Sequence, residues 1–157
     1  NQMQITLTLN GRRCTDEIPA DMTLFTYLRQ KGCYSVKCGC ETSSCGLCTV
    51  WMDQKPVLSC SVLAARADGH EITTMEGVQQ EAVEFGTFLA DEGGEQCGFC
   101  SPGFIMNVLA MVRELPNPTD KQIKEYLAGN LCRCTGYQSH LRAIKKYLAH
   151  KQKEAVR

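Results

Sequence analysis

The chain begins with apolar and polar residues in strict alternation, which is the period of a half-buried β-strand. The apolar members of this alternation are Met3, Ile5, Leu7 and Leu9. The dipeptide Asn10–Gly11 then favours the two positive φ angles of a tight hairpin turn. We therefore expect residues 3–9 to pair antiparallel with residues at about 12–18.

One helix and three more strands are predicted in the rest of the first half. Residues 21–32 carry a helical apolar face, with Asp21 or Thr23 as the N-cap. Residues 48–60 predict a strand, a turn and a second short strand, and residues 70–75 predict a closing strand. Strands wrapped around one helix within ~75 residues form an α+β half.

The second half changes to helical periodicity, interrupted by turns that contain Gly, Pro and Cys. Four helices are predicted, at residues 76–94, 102–115, 119–130 and 138–152. Their apolar stripes predict the interior of a small four-helix bundle. The fold class is thus α+β, with domains at residues 1–76 and 77–157, and we expect residues 151–157 to be a frayed end.

The charge balance excludes some classes of partner. Seventeen basic and seventeen acidic residues give a formal net charge of zero, so neither nucleic acid nor an anionic membrane is expected. No run of about 18 apolar residues could span a bilayer. The first fourteen residues are polar and strand-like and do not resemble a secretory signal. These features predict a cytoplasmic protein.

Eleven cysteines are the unusual feature of the composition. In a reducing compartment, clustered thiols hold metals more often than they form disulfides. An odd number also leaves at least one thiol outside any set of intrachain disulfides. Metal binding is therefore the favoured interpretation.

Four cysteines of the first half have the spacing C-x4-C-x2-C-x11-C: Cys40, Cys45, Cys48 and Cys60. The first three match the plant-type [2Fe–2S] ligand loop, whose fourth cysteine lies further along the chain. Such a loop can wrap a cluster and direct its amide N–H groups at the sulfurs, and the hydroxyls of "ETSS" can donate too. A structural zinc site favours two short C-x2–4-C knuckles, and this quartet has only one.

Three further cysteines precede this quartet in the chain. Cys38 offers an alternative start for the ligand set, although the x4 spacing favours Cys40. Cys14 lies on a predicted strand and Cys33 lies just past a predicted helix end. Both are interpreted as small buried thiols that fill apolar space.

A second quartet, in the helical half, has the spacing C-x2-C-x31-C-x-C: Cys97, Cys100, Cys132 and Cys134. Gly136 lets the backbone turn beside the last pair, and both pairs are predicted where helices begin. Helix N-termini stabilise a net-negative thiolate cluster. The spacing alone leaves zinc open here, but a companion iron–sulfur site favours an electron relay.

The segments SVKCGCETSSCGLCTV, QCGFCSPGF and GNLCRCTGY together resemble the iron–sulfur subunit or domain of the molybdenum hydroxylases, the xanthine oxidase family. This resemblance implies a plant-type ferredoxin-like β-grasp domain followed by a four-helix bundle. It also implies one [2Fe–2S] cluster for each quartet, and contacts from Gln96 and Cys134 to the molybdopterin of a partner subunit. The first loop departs from the family, in which glycine is more abundant and position 38 is commonly not cysteine.

The resemblance implies an electron-transfer subunit in a hetero-oligomer, with partners that hold molybdopterin and FAD and reduce NAD(P)⁺ or another acceptor. The partner hydroxylates its substrate with oxygen from water. As a whole the chain is most similar to small subunits of bacterial nicotinate dehydrogenase, with xanthine dehydrogenase next. Purine, aldehyde and carbon monoxide dehydrogenases and an aromatic thioester reductase remain alternatives.

The chain has no evident catalytic apparatus of its own. No Gly-rich dinucleotide fingerprint, P-loop or HExxH is present. The three histidines form no obvious ligand set and are expected at the surface or partly buried: His70, His140 and His150. The alternatives from other classes are a zinc-stabilised interaction module, which would be colourless, and a free ferredoxin.

Overall fold

The computed structural model describes residues 1–157 as a mixed α/β protein with one sheet and five α-helices. The strands are β1 (Gln2–Leu9), β2 (Arg12–Pro19), β3 (Thr49–Met52), β4 (Lys55–Leu58) and β5 (Glu71–Thr73). The helices are α1 (Leu24–Gln30), α2 (Gln79–Asp91), α3 (Ser101–Glu114), α4 (Asp120–Tyr126) and α5 (Gln138–Ala155). None of these helices combines the length and apolar character that a bilayer crossing requires.

The five strands form one sheet in the order β2-β1-β5-β3-β4. β1 and β5 are parallel, and the other neighbouring pairs are antiparallel. The predicted hairpin is confirmed, with φ angles of 50° at Asn10 and 81° at Gly11. A second turn of the same kind joins β3 to β4, because Asp53 and Gln54 also have positive φ.

Helix α1 packs on this sheet and closes the first core. Thr23 is its N-cap and Asp21 is not, since the Thr23 hydroxyl accepts from the Thr26 N–H at 3.1 Å. The buried helix face meets the inward side chains of the strands, and this core includes Ile5, Leu7, Leu24, Tyr27, Leu28, Val50 and Ile72. The alternating apolar residues of β1 therefore face the core, as their period of two predicts.

The four helices predicted in the second half are all present. Two are shorter than predicted, because a 3₁₀ turn at Met75–Gly77 precedes α2 and because α4 ends at Tyr126. The expectation of a frayed C-terminus is wrong. Helix α5 continues to Ala155, and the Lys151 ammonium donates to the Glu84 carboxylate on α2 at 3.0 Å.

The sheet and the helices share one interface through β3 and α3. Trp51 on β3 is buried in the core of the helices, and its indole N–H donates to the Met106 carbonyl oxygen at 2.8 Å. The Arg113 guanidinium lies over the Trp51 ring, 3.9 Å from its centroid. A buried indole with a satisfied N–H and a cation on its face holds the two halves together.

Candidate metal centres

The structure brings the first quartet together as two pairs of thiols, and we call Cys40, Cys45, Cys48 and Cys60 site 1. The thiol of Cys40 contacts that of Cys45, and the thiol of Cys48 contacts that of Cys60. Three members lie on the loop before β3, and Cys60 lies on the 3₁₀ turn that follows β4. The Ser59 hydroxyl donates to the Cys48 carbonyl oxygen at 2.7 Å and fixes this turn against the loop.

Amide groups point at the sulfurs of site 1, as the sequence predicts, and of the predicted ETSS hydroxyls that of Ser43 lies 3.9 Å from Cys60 Sγ. The Ser44 N–H donates to Cys40 Sγ at 3.4 Å, and the Leu47 N–H donates to Cys45 Sγ at 3.5 Å. The Ser61 hydroxyl lies 3.4 Å from Cys60 Sγ. The N–H groups around Cys40, that of Ser44 first, lower the pKa of this thiol to about 6. The loop is thus built to stabilise negative charge on sulfur.

The inner half of site 1 is buried. Cys45 and Cys48 have exposed fractions of 7% and 3%. Burial, with the neighbouring Cys60 thiol, raises the pKa of Cys48 to about 11. A bound cation would favour the thiolate of Cys48, and the two pairs of thiols fit the ligand set of an iron–sulfur cluster.

The remaining cysteines of the first half lie outside these contacts. The Cys38 thiol is exposed and donates to the Cys40 carbonyl oxygen at 3.2 Å. Cys33 is buried in the first core, where burial raises its pKa, and Cys14 is half-buried at the edge of that core. The interpretation as space-filling thiols is confirmed for Cys33.

The second quartet also converges, and we call Cys97, Cys100, Cys132 and Cys134 site 2. The Cys134 thiol donates to Cys97 Sγ at 3.6 Å. Two sulfurs bound to one tetrahedral metal ion at ~2.3 Å lie about 3.8 Å apart, so this spacing suits a shared metal. The sulfurs of Cys100 and Cys132 and one ring nitrogen of His140 lie within 4.8 Å of one another.

The prediction that both cysteine pairs lie at helix starts is confirmed for one pair only. Cys100 is the N-cap residue of α3. Cys132 and Cys134 are separated from α5 by a turn in which Gly136 and Tyr137 have φ angles of 69° and 71°. Burial raises the pKa of Cys100 to about 12, so a bound cation would also favour the thiolate here.

Two residues beside site 2 were not predicted from the sequence. The Thr135 hydroxyl donates to Cys132 Sγ at 3.3 Å and lies 3.3 Å from His140 Nε2. His140 is only 4% exposed, contrary to expectation, and burial lowers its pKa. A hydroxyl residue directly after CRC, with a histidine five residues further on, was the signal available in the sequence.

The two sites lie against each other through their backbones. The Cys45 carbonyl oxygen of site 1 accepts from the Leu131 N–H at 2.8 Å, and Leu131 is the residue before Cys132 of site 2. Gly46, with a φ of 74°, allows this approach because a Cβ there would lie 2.3 Å from the Gly129 carbonyl oxygen. The loop of site 1 is therefore seated directly on the segment that leads into site 2.

Site 2 opens onto an apolar part of the surface. Cys97 and Cys134 are exposed, and so is Gln96, which directly precedes Cys97. Three exposed residues close to these ligands along the chain, Phe99, Leu131 and Tyr137, are defined as the site-2 rim, and their exposed fractions are 48%, 46% and 43%. Leu131 and Tyr137 of the rim also line a mostly apolar groove of about 450 Å³ between α3, α4 and α5.

Two sequence families match the chain in succession. Residues 7–73 match the 2Fe-2S iron-sulfur cluster binding domain, and residues 74–145 match the [2Fe-2S] binding domain. The two matched segments contain sites 1 and 2, respectively.

Similar proteins include iron–sulfur subunits of bacterial enzymes. The chain is 42% identical over 142 residues to a probable xanthine dehydrogenase subunit of Bacillus subtilis, covering 89% of this chain and 82% of that one. It is 39% identical over 140 residues to the nicotinate dehydrogenase small FeS subunit of Eubacterium barkeri, covering 87% and 89%. The crystal structure of quinoline 2-oxidoreductase from Pseudomonas putida 86 superposes with a TM-score of 0.88 at 34% identity, covering 98% of this chain and 97% of that chain.

Proposed function

Because this chain belongs to the iron–sulfur subunits of the molybdenum hydroxylase family, we propose that it relays electrons from a molybdopterin-bearing partner to an FAD-bearing partner. The reaction served is the water-dependent hydroxylation of an N-heterocycle. The observation that carries the proposal is the grouping of eight cysteines into four pairs of adjacent thiols, two pairs at each site, with a backbone hydrogen bond between the sites. The chain is thus part of an oxidoreductase and holds no catalytic site of its own.

Each site is proposed to bind one [2Fe–2S] cluster through its four thiolates. The ligands at site 1 are Cys40, Cys45, Cys48 and Cys60, and those at site 2 are Cys97, Cys100, Cys132 and Cys134. When bound, such a cluster accepts and releases one electron at a time. The thiols of the buried Cys48 and the half-buried Cys100, with pKa values raised to about 11 and about 12, support this proposal because a bound cation would favour their ionised form.

The protein groups around the sulfurs determine how readily each site carries extra negative charge. At site 1 the N–H groups of Ser44 and Leu47 and the hydroxyl of Ser61 face sulfur. At site 2 the Thr135 hydroxyl does so. Hydrogen bonds to sulfur stabilise the more negative, reduced state and raise its reduction potential.

The contact between the sites supports a relay rather than two independent centres. Cys45 of site 1 and Cys132 of site 2 are connected through one hydrogen bond, which the Leu131 N–H donates to the Cys45 carbonyl oxygen. The rest of this path consists of covalent backbone bonds, because Leu131 directly precedes Cys132. Asn130 adds a second link, since its side-chain amide donates to the Gly46 carbonyl oxygen at 3.3 Å. These bonds hold the two sites at a constant separation.

We also propose a domain organisation. Residues 1–76 form a plant-type ferredoxin-like β-grasp domain, and residues 77–157 form a four-helix bundle. The matched segments 7–73 and 74–145 support this division, as does the separation of the buried side chains into two cores.

The site-2 rim is the proposed docking face for the molybdenum subunit. Gln96 and Cys134 are exposed beside Phe99, Leu131 and Tyr137, so a partner can bury apolar area and reach polar atoms at the same place. We propose that Gln96 and Cys134 contact the molybdopterin of that partner. The proposed assembly is a hetero-oligomer doubled by symmetry, in the cytoplasm, where thiols stay reduced.

The substrate class is inferred from the relatives. Xanthine, nicotinate and quinoline, which appear in their names, are all N-heterocycles. Within this class we propose nicotinate, with xanthine or another purine as the alternative, although identities of 39% and 42% do not separate the two. Aldehydes, carbon monoxide and an aromatic thioester are the remaining alternatives.

Mild affinity purification from the native cells tests the function. We expect co-purifying chains that contain molybdenum and FAD, and two iron and two acid-labile sulfide for each site. The red-brown colour should bleach when nicotinate, and not benzoate, is added. Bleaching by xanthine or an aldehyde instead would change the proposed substrate and leave the proposed electron relay in place. If the purified protein were colourless, contained zinc and had no partners, the proposed function would be wrong, and a zinc-stabilised interaction module would be the better interpretation.

A further inference from the structure

His140 is a buried side chain that contacts residues beside both cysteine pairs of site 2. It lies in the first turn of α5, and its Nε2 is 3.0 Å from the Gly94 carbonyl oxygen, in the segment leading to Cys97. The same nitrogen is 3.3 Å from the hydroxyl of Thr135, directly after Cys134. The His140 ring stacks on Phe104 of α3, with centroids 4.3 Å apart. A single imidazole thus connects the loops that carry the two cysteine pairs.

The direction of these hydrogen bonds follows from the groups involved. A carbonyl oxygen only accepts, so the Gly94 contact requires the hydrogen of the His140 ring to be on Nε2. The single Nε2 hydrogen is then shared between the Gly94 carbonyl oxygen and the Thr135 hydroxyl oxygen in a bifurcated bond, and the Tyr137 N–H also donates to the Thr135 hydroxyl oxygen at 3.3 Å. With both neighbours donating to its oxygen, the Thr135 hydroxyl directs its own hydrogen at Cys132 Sγ, 3.3 Å away.

We infer that His140 is a positioning residue that orients the Thr135 hydroxyl toward the Cys132 sulfur and thereby raises the reduction potential of site 2. This inference rests on the proposed [2Fe–2S] cluster at that site. A hydroxyl donor aimed at a ligand sulfur stabilises the added negative charge of the reduced state. Cys132 is half-buried, so the effect is larger than at a fully exposed sulfur, because less water competes for the same atom.

The ring of His140 is held in this orientation from several sides. Stacking on Phe104 fixes its plane, and the 4% exposure of the residue leaves little room for another rotamer. Its Nδ1 is buried without a hydrogen-bond partner, so the residue retains an unsatisfied acceptor in order to present Nε2. An apolar side chain would fill this space without leaving a polar atom unsatisfied, which indicates that Nε2 has a role beyond packing.

The test is an EPR-monitored redox titration of the native complex, in which site 1 serves as an internal standard. Thr135→Val keeps the shape of the side chain and removes the hydroxyl. We expect the reduction equilibrium of site 2 to shift on the order of tenfold toward the oxidised state, which is about 59 mV for one electron. The potential of site 1 should stay constant, and Thr135→Ser should restore the value of site 2.

His140→Leu provides a second variant that leaves all four cysteines and the hydroxyl in place. We expect a shift of the same sign, and the double variant should shift no further than Thr135→Val alone, since both residues act on one hydrogen bond. Unchanged potentials in both variants, equal shifts at both sites, or altered g values that identify histidine as a ligand would overturn the inference. Absence of both cluster signals from the wild-type complex would overturn the proposed function itself.

Discussion

Sites 1 and 2 hold the same number of sulfurs in two different ways. Three ligands of site 1 come from one continuous loop, which supplies its own donors, such as the N–H groups of Ser44 and Leu47. Site 2 is assembled from two segments more than thirty residues apart, Cys97–Cys100 and Cys132–Cys134. Its side-chain donor, Thr135, is oriented by a helix residue, His140, that belongs to neither segment.

The difference shows what each kind of site requires from the rest of the chain. A continuous loop needs little more than correct spacing and small residues, because its backbone wraps around the sulfurs. A site made from two segments needs tertiary contacts to set their distance. At site 2 these are the stack of His140 on Phe104 and the hydrogen bond from its ring to Gly94.

Removal of single thiols is expected to have the largest effect and separates the two sites directly. Cys48→Ser should abolish one of the two reduced-cluster EPR signals, and Cys100→Ser should abolish the other, because serine is a poor replacement for a thiolate ligand. EPR of the dithionite-reduced complex is the measurement. Cys14→Ser is the matched control and should keep both signals. Loss of neither signal in the first two variants would contradict the ligand assignment.

The contact between the sites is tested at Gly103 on α3. A Cβ at this position would lie 2.5 Å from the Gly46 carbonyl oxygen and 2.9 Å from that of Leu47. Gly103→Ala should lower the free energy of unfolding by about 1–3 kcal/mol through overpacking, measured by urea denaturation of the full chain. Gly86→Ala on α2 has no atom within 4 Å of the new methyl group and should raise it by about 0.5–1 kcal/mol. Equal effects of the two substitutions would show that this interface is loosely packed.

Glu76 anchors the segment that leads into site 1. Its side chain accepts from the Ser35 N–H at 3.1 Å and from the Thr74 hydroxyl at 2.9 Å. Burial acts to raise the pKa of Glu76, but the donors from Ser35 and Thr74 together hold it below the ordinary value. Glu76→Gln should cost about 0.5–1 kcal/mol of unfolding free energy at pH 7, allowing for solvent screening.

The difference in unfolding free energy between the wild-type protein and Glu76→Gln should depend on pH in one direction. Because the folded-state pKa of Glu76 is lowered, its contribution is complete above the unfolded-state pKa and disappears as the pH falls through the folded-state value. The wild-type advantage over Glu76→Gln should therefore be constant between about pH 6 and 8 and shrink below about pH 4.5. Urea denaturation of both proteins across this range measures it. An advantage that grew on acidification would disprove the assignment.

The smallest effect is expected at Glu125, which serves as a surface reference for Glu76. Its carboxylate lies 3.8 Å from the Lys121 ammonium one helical turn earlier, and both side chains are exposed. Glu125→Gln should cost no more than about 0.3–0.5 kcal/mol, measured in the same urea experiment, and less at high salt. A larger loss than that of Glu76→Gln would reverse the proposed ranking of these two carboxylates.

Much of this molecule could be predicted from local pattern. The alternation before Asn10 predicts β1 and its hairpin, and the cysteine spacings predict two metal sites, because each depends on residues close together in the chain. Helix ends were less predictable. Helix α4 ends at Tyr126, short of the predicted residue 130, because residues 128–131 turn to meet Gly46 of site 1.

By itself, the amino-acid sequence determined the order of elements, the two quartets and the family to which the chain belongs. Only the tertiary structure decided that Leu131 meets Cys45 and that His140 is buried between the loops of site 2. The physical reason is how far apart along the chain the interacting residues lie. Periodicity and ligand spacing are properties of neighbours along the chain, whereas the partner of a backbone N–H or an imidazole is chosen by which distant segments pack together.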